Sequence, residues 1–323
     1  MKFKTVFFLF FMILFFNSCQ KVIEFNGEIT DPLVVVNSLL TPDSVVSAQV
    51  SLSRFFLSND TLYQKIDSAQ VLLFVNGTLK EGLNYHYNGV YVGKYKPLIG
   101  DSLNLQVIIP GKKTVKTGTS IKSAISIQSI DTSSHATGKK MPILSNKVIS
   151  PTKILLDTLG YAFEYKLSCV LHLIDDGIET NYYRLSVVTK TSLGTKKSYN
   201  YLFNFDDVVS GNTNNSIGPP TSLTNNKFNI FSNEMFFGKE YALKFSVLYN
   251  KSILLPAYNK YLNLQDVTFN LQKINQSYYQ YLKTRANIKT NSFFAEPVQV
   301  YSNVDGGIGI MGSYSNSVLK INL

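Results

Sequence analysis

Between residues 33 and 120 short runs of alternating apolar and polar residues recur, each closed by a turn signal, and that period of two confines the segment to β-structure. Val46, Ala48, Val50 and Leu52 face one way, while Ser47, Gln49, Ser51 and Ser53 face the other. Ala69, Val71, Leu73 and Val75 repeat the pattern, and Asn76-Gly77 then supplies two residues that tolerate the positive φ of a tight hairpin. Leu33-Val34-Val35-Val36 is continuously apolar, as in a strand buried on both faces, and Thr41-Pro42-Asp43-Ser44 follows it as a turn. Residues 89–95, 103–107 and 114–120 add further strands, separated by Pro97, Gly100 and Pro110-Gly111. About seven short strands in roughly 90 residues predict a β-sandwich of immunoglobulin-like or transthyretin-like kind.

Residues 121–152 are poor in aromatics and rich in Ser, Thr and Lys, and read as the passage into a second unit. Alternation returns from residue 154 onward, in residues 182–188 and in Tyr241, Leu243, Phe245 and Val247. The polar stretch 210–226, with Gly218-Pro219-Pro220, reads as an exposed excursion, and no solenoid or propeller period is present. The expected organisation is therefore a β-sandwich domain over residues 19–122 and a β-rich C-terminal domain over residues 123–323. One segment breaks the β pattern. Ile274, Tyr278, Tyr281, Leu282 and Arg285 recur at helical spacing, with Asn275 or Ser277 available as a cap, so an amphipathic helix is predicted over residues 274–287. Its stripe of Tyr278, Tyr281 and Leu282 reads as packing on the sheet, with a ligand cleft as the alternative.

The N-terminus carries Lys2, Lys4, an apolar run over residues 6–16 and then Asn17-Ser18-Cys19. A spanning helix needs about 20 apolar residues, so this shorter run reads as an export signal over residues 1–18. Ser18 suits a lipoprotein cleavage site, although Phe16 and Asn17 depart from its usual residues, and Cys19 is the expected lipidation site. Acyl chains there would anchor the body to a membrane. The other cysteine, Cys169, lies in the apolar run 165–173 and reads as a small buried hydrophobe with no disulfide partner.

Lys and Arg outnumber Asp and Glu by 31 to 21, a formal charge of +10, but the lysines are scattered. No basic stripe with interleaved aromatics suggests a nucleic-acid surface. His86, His135 and His172 are far apart and lack a second ligand at helical spacing, so neither a metal nor a cofactor is expected. Asp175-Asp176 with Glu179, and Asp206-Asp207, stand beside Gly177 or polar loop and read as solvated turns, with a Ca²⁺ site as the alternative. Neither a GxSxG elbow nor a phosphate loop is present.

The C-terminal sequence Phe293-Phe294-Ala295-Glu296-Pro297-Val298-Gln299-Val300-Tyr301-Ser302-Asn303-Val304, then Gly306-Gly307-Ile308-Gly309-Ile310, follows Ser277-Tyr278-Tyr279-Gln280-Tyr281-Leu282-Lys283. Together they resemble the C-terminal signature of the DUF4249 family. Leu33-Val34-Val35-Val36-Asn37 before Leu40-Thr41-Pro42, Gly89-Val90-Tyr91, Ile109-Pro110-Gly111 and Asn181-Tyr182-Tyr183-Arg184-Leu185 are similar to further family blocks. The resemblance implies a Bacteroidota outer-membrane or surface lipoprotein of unknown function, with no catalytic residues to carry over. It also implies a place beside TonB-dependent receptors that bear a carboxypeptidase-regulatory-like domain.

From the residues themselves, Gly306, Gly307 and Gly309 would let a last hairpin turn and pack closely. Tyr278, Tyr281, Glu296, Tyr301, Asn303 and Asp305 could line one rim, as an oligosaccharide or peptide site. The expected function is a non-enzymatic binding or accessory lipoprotein of the outer membrane that assists a TonB-dependent receptor in uptake or surface assembly. A carbohydrate- or peptide-active hydrolase and a structural, adhesive protein are the alternatives. The first expects a tyrosine-rich exposed patch, the second convergent carboxylates or a perturbed histidine in a concave pocket, and the third no deep pocket.

Overall fold

The structure is a computed structural model that describes residues 31–54, 64–150, 153–191, 196–199, 209, 226–254, 264–288 and 299–322. The expected signal, Cys19 and nearly all of the 210–226 excursion lie outside the described residues. As expected, the chain is mainly β, with one short helix near its C-terminal end. The strands are β1 (Val34–Leu40), β2 (Ser47–Leu52), β3 (Gln70–Val75), β4 (Thr78–Tyr87), β5 (Val90–Val92), β6 (Ser102–Ile108) and β7 (Val115–Ser120) in the first part. There follow β8 (Ser126–Ser150), β9 (Lys153–Ile174), β10 (Tyr182–Thr191), β11 (Lys196–Tyr199), β12 (Ile230–Ser232), β13 (Glu240–Leu254) and β14 (Leu264–Ile274). Helix α1 (Gln276–Ala286), β15 (Val304–Asp305) and β16 (Ile308–Asn322) complete the described chain.

A large curled sheet runs β11-β10-β14-β16-β1-β2-β5-β4-β3-β6-β7-β15, with β12 also on β10, and a separate sheet runs β13-β9-β8. In the first part the sheet folds over on itself as the alternation requires. Val36 and Val50 from one layer meet Leu73, Leu103 and Leu105 from the other, all essentially without exposure. A second core lies between β9 and β13 on one side and β10 and β14 on the other. It gathers Leu171, Leu185, Leu243, Phe245, Phe269 and Leu271. Cys169 sits in it, as the sequence suggests, and burial pushes its thiol up to about 12. Iodoacetamide at pH 8 is therefore expected to leave Cys169 unmodified in the native protein and to modify it in denaturant, which peptide mapping will read.

Two expectations are corrected. The stretch taken as a passage into the second unit is mostly β8, a strand of 25 residues. It pairs with β9 at the edge of its sheet and its described side chains are largely exposed, so neither face imposes an apolar period. Nor do the described residues form a terminal hairpin: β15 pairs with β7, whereas β16 pairs with β1 in parallel and β14 antiparallel. The turn between them carries the chain from one layer of the sandwich to the other.

β16 is the strand common to both parts. Ile308 to Ser313 pair with β1, and Tyr314 to Asn322 pair with β14. Its alternate serines hold the connecting segment: the hydroxyls of Ser313, Ser315 and Ser317 donate to the carbonyls of Ser120, Lys122 and Ile125 in turn. Beyond the end of β14, whose last residue Ile274 pairs with Tyr314, side chains occupy the other edge of β16. The Asn303 amide both accepts from Met311 N–H and donates to Met311 C=O, each at 2.9 Å. Asn275 Oδ1 accepts from Ser313 N–H at 3.1 Å, and Ser302 Oγ accepts from Gly309 N–H at 3.1 Å. An edge that would otherwise invite a foreign strand is thus closed without one. Asn303→Ala is expected to cost about 2 kcal/mol, because Met311 would lose both partners, and to speed hydrogen exchange at the Met311 amide.

Candidate functional site

Helix α1 forms where its sequence pattern places it. Asn275 is its N-cap and its side chain accepts from Tyr278 N–H, while Lys283 and Arg285 in the last turn complement the helix dipole. Its inner face buries Tyr278 and Leu282 against Ile230 and Ile274, with Tyr182, Tyr279 and Tyr314 packed around them. Tyr182 and Tyr279 stack with ring centroids 4.4 Å apart. The helix comes so close to the sheet that a Cβ on Gly312 would lie 2.9 Å from that of Tyr278. Tyr278 donates no surface to a ligand: it is buried, and the Arg184 guanidinium donates to its hydroxyl at 3.1 Å. Burial raises its pKa, which the Arg184 charge only partly opposes.

The other side of the helix forms a wall of a cleft of about 980 Å³. Its floor is the outward face of β1 and β2, with Val35, Asn37, Gln49 and Ser51, and Ile308 and Gly309 of β16 beside them. Tyr281 and Thr284 of α1 and the extended residues 299–302 complete the lining together with Lys65. Asn37 and Gln49 stand directly opposite one another in the antiparallel ladder, as do Val35 and Ser51. Such partners have Cβ atoms about 5 Å apart, so the two amides form one patch.

Tyr301 is fixed at both ends. Its backbone N–H donates to Thr284 Oγ1 at 2.9 Å, and its hydroxyl lies 3.5 Å from Ser277 Oγ. Tyr281 is half-buried and is steadied by Arg285, whose Nη1 donates to the tyrosine hydroxyl at 3.3 Å. The cleft therefore presents two oriented aromatic rings above an amide-bearing sheet face.

Of the six candidate ligand residues, Tyr281 and Tyr301 lie in this cleft and Tyr278 is buried on the inner face of α1. Asn303 is occupied with the edge of β16, and Asp305 stands opposite Lys116 in the short β15–β7 pairing, so neither lines the cleft. Glu296 lies outside the described residues. Asn37 and Gln49 escaped sequence reasoning because they are simply the polar half of two alternating strands.

The acidic turn at residues 175–179 is exposed at Asp176 and Glu179, as its sequence suggests, but buried at Asp175. Asp175 is 4% exposed and accepts from the N–H groups of Gly177 and Gly238 at 3.1 and 2.9 Å, and from Tyr183 OH at 3.0 Å. The amides of Asn233 and Asn181 complete its shell at 2.9 and 3.4 Å. Burial opposes ionisation, but these hydrogen bonds together outweigh it and hold the carboxyl below the ordinary 3.8. Burial and the adjoining Asp175 charge push the Tyr183 hydroxyl up, so it remains a donor. Asp176 pairs with the buried ammonium of Lys273 at 3.4 Å, and Glu179 pairs with Lys122 from the connecting segment. These carboxylates lock a turn. No group of three or more metal-ligating side chains is gathered among the described residues.

His172 contacts Asp131 at 2.9 Å on the exposed surface of the β8–β9 pair, away from the cleft. No helix among the described residues is long and apolar enough to cross a membrane. A second concavity of about 740 Å³ lies at the start of α1 and is lined by Ser120, Lys122, Glu179 and Gln276 among others. Its Lys122–Glu179 pair already joins the two parts of the chain. A search of curated proteins finds no match. The family comparison does: residues 21–319, nearly the whole chain, match the model of a domain of unknown function, and the chain belongs to the DUF4249 family.

Proposed function

We propose that this chain is a non-enzymatic binding protein of the cell envelope, anchored to the outer membrane through a lipidated Cys19, which assists a TonB-dependent receptor in ligand capture. The observation that carries the binding role is the cleft beneath α1. Its volume lies at the upper end of the range for small-molecule sites, and oriented tyrosines and amides line it. No carboxylate stands among its described lining residues, and the most enclosed carboxylate of the described chain, Asp175, has its oxygens filled by protein donors. That arrangement suits recognition better than hydrolysis. The envelope location rests on the N-terminal sequence, and the receptor rests on what the family resemblance implies.

Affinity isolation of the lipidated protein from its native outer membrane is the test. The expected result is a TonB-dependent receptor recovered at near-equal amount, with loss of anchoring in a Cys19→Ala variant. Recovery of the protein alone would remove the receptor from the proposal, and unchanged membrane retention of the variant would remove the lipid.

A further inference from the structure

We infer that the cleft between α1 and the β1–β2 face binds an oligosaccharide, with a sugar ring stacked on Tyr301 and its hydroxyls bonded by Asn37 and Gln49. This rests on the binding role proposed above and names the ligand class.

Three features of the lining select sugars. A pyranose presents an apolar face of C–H groups and a rim of hydroxyls, and the cleft offers a matching pair of surfaces: tyrosine rings on its wall and side-chain amides on its floor. Each amide carries a donor and an acceptor in one plane, and each sugar hydroxyl can both give and receive a hydrogen bond, so one amide serves neighbouring hydroxyls. Asn37 and Gln49 face each other across the ladder, which concentrates that capacity at one place.

The floor also disfavours an extended peptide. Peptides gain affinity by pairing their main chain with an exposed strand edge. Here β1 is already flanked by β16 and β2, so the floor is a sheet face whose main-chain groups are spent within the sheet. Charge points the same way. Lys65 alone is charged among the described lining residues, which leaves hydroxyl and amide chemistry to dominate recognition.

The site is also built before the ligand arrives. Tyr301 is tied to Thr284 through its backbone and reaches Ser277 with its hydroxyl, and Asn37 and Gln49 stand on strands in the interior of the sheet. Tyr301 therefore has little rotamer freedom left to lose on binding, and the backbone that carries the two amides is fixed by the sheet. The size of the cleft suits a short oligosaccharide rather than a single sugar.

Calorimetric titration of the full mature protein with cello-, xylo-, manno-, malto- and chito-hexaose, and separately with a mixed hexapeptide pool, tests the inference. At least one hexaose is expected to bind at one site per chain. Tyr301→Ala is expected to weaken it about tenfold or more, Gln49→Ala to weaken it severalfold, and Tyr301→Phe to retain it, with melting temperatures showing that each variant is folded. Peptide binding that Tyr301→Ala abolishes would overturn the sugar assignment and leave the binding role standing. Sugar binding indifferent to Tyr301→Ala and Gln49→Ala would overturn the site. Silence of both ligand classes would overturn the inference and the cleft-based binding role together, leaving receptor isolation as the separate measure of partnership.

Discussion

Asp175→Ala is expected to lower the stability of the folded chain by about 3–5 kcal/mol and its melting temperature by on the order of 10 °C. The alanine would leave the Gly177 and Gly238 N–H groups and the Tyr183 hydroxyl without the acceptor they share, and the Asn233 amide with only the Glu179 carbonyl, at a position that is 4% exposed. Asn at the same position would turn donors toward donors, so it is expected to recover little. Acid supplies an independent check. The folded-state pKa of Asp175 is depressed, so its contribution is complete above the ordinary 3.8 and is lost as pH falls through the lower folded value. Urea midpoints should therefore fall on acidification below about pH 4 in the wild type, and less steeply in Asp175→Ala over the same window. A variant within about 1 kcal/mol of wild type at pH 7 would show that the network is not the anchor of this turn.

Gly309→Ala is expected to cost about 3 kcal/mol or more and to detach β16 from β1. Gly309 has φ +125°, and a Cβ there would fall 2.1 Å from the carbonyl oxygen of Val36 and 2.8 Å from its carbonyl carbon. Both are backbone atoms of the residue paired with Gly309 in the parallel ladder, so no side-chain rotation relieves the clash. Hydrogen exchange should localise the damage to β1 and the first half of β16, while β10 and β14 stay protected. Even loss of protection over both parts would mean that the two cores unfold as one unit.

The strands most readable in the sequence are those with one buried face. Val46, Ala48, Val50 and Leu52 alternate because one set packs in the core and the other points outward. Helix α1 was equally readable, since Asn275 caps it and Tyr278, Leu282 and the apolar residues beneath them obey one period. β8 was not, because an edge strand with exposed faces has no reason to alternate. The cleft was half legible. The sequence offers Tyr281 and Tyr301 as rim residues of a ligand site, but nothing local separates Tyr281 from buried Tyr278. Asn37 and Gln49 look like any solvated strand residues until the register sets them opposite each other beneath a helix that lies far along the chain. Asp175 was misread for a related reason: Asn233 and Gly238, two of its donors, lie far downstream, so the sequence around it shows only an acid before a turn.

The pairing of the first described strand with the last has a kinetic meaning. β1 cannot acquire its β16 neighbour until the final residues of the chain are available, and closing so long a loop is among the slower ways to form a sheet. During synthesis the first sandwich therefore waits with one side of β1 open, and the segment around Lys122 waits for the serines that will hold it. Unity of the molecule arrives last, with its C-terminal strand, so a chain cut before Ile308 would keep most of the apolar residues of both cores and lose the strand that makes them one body.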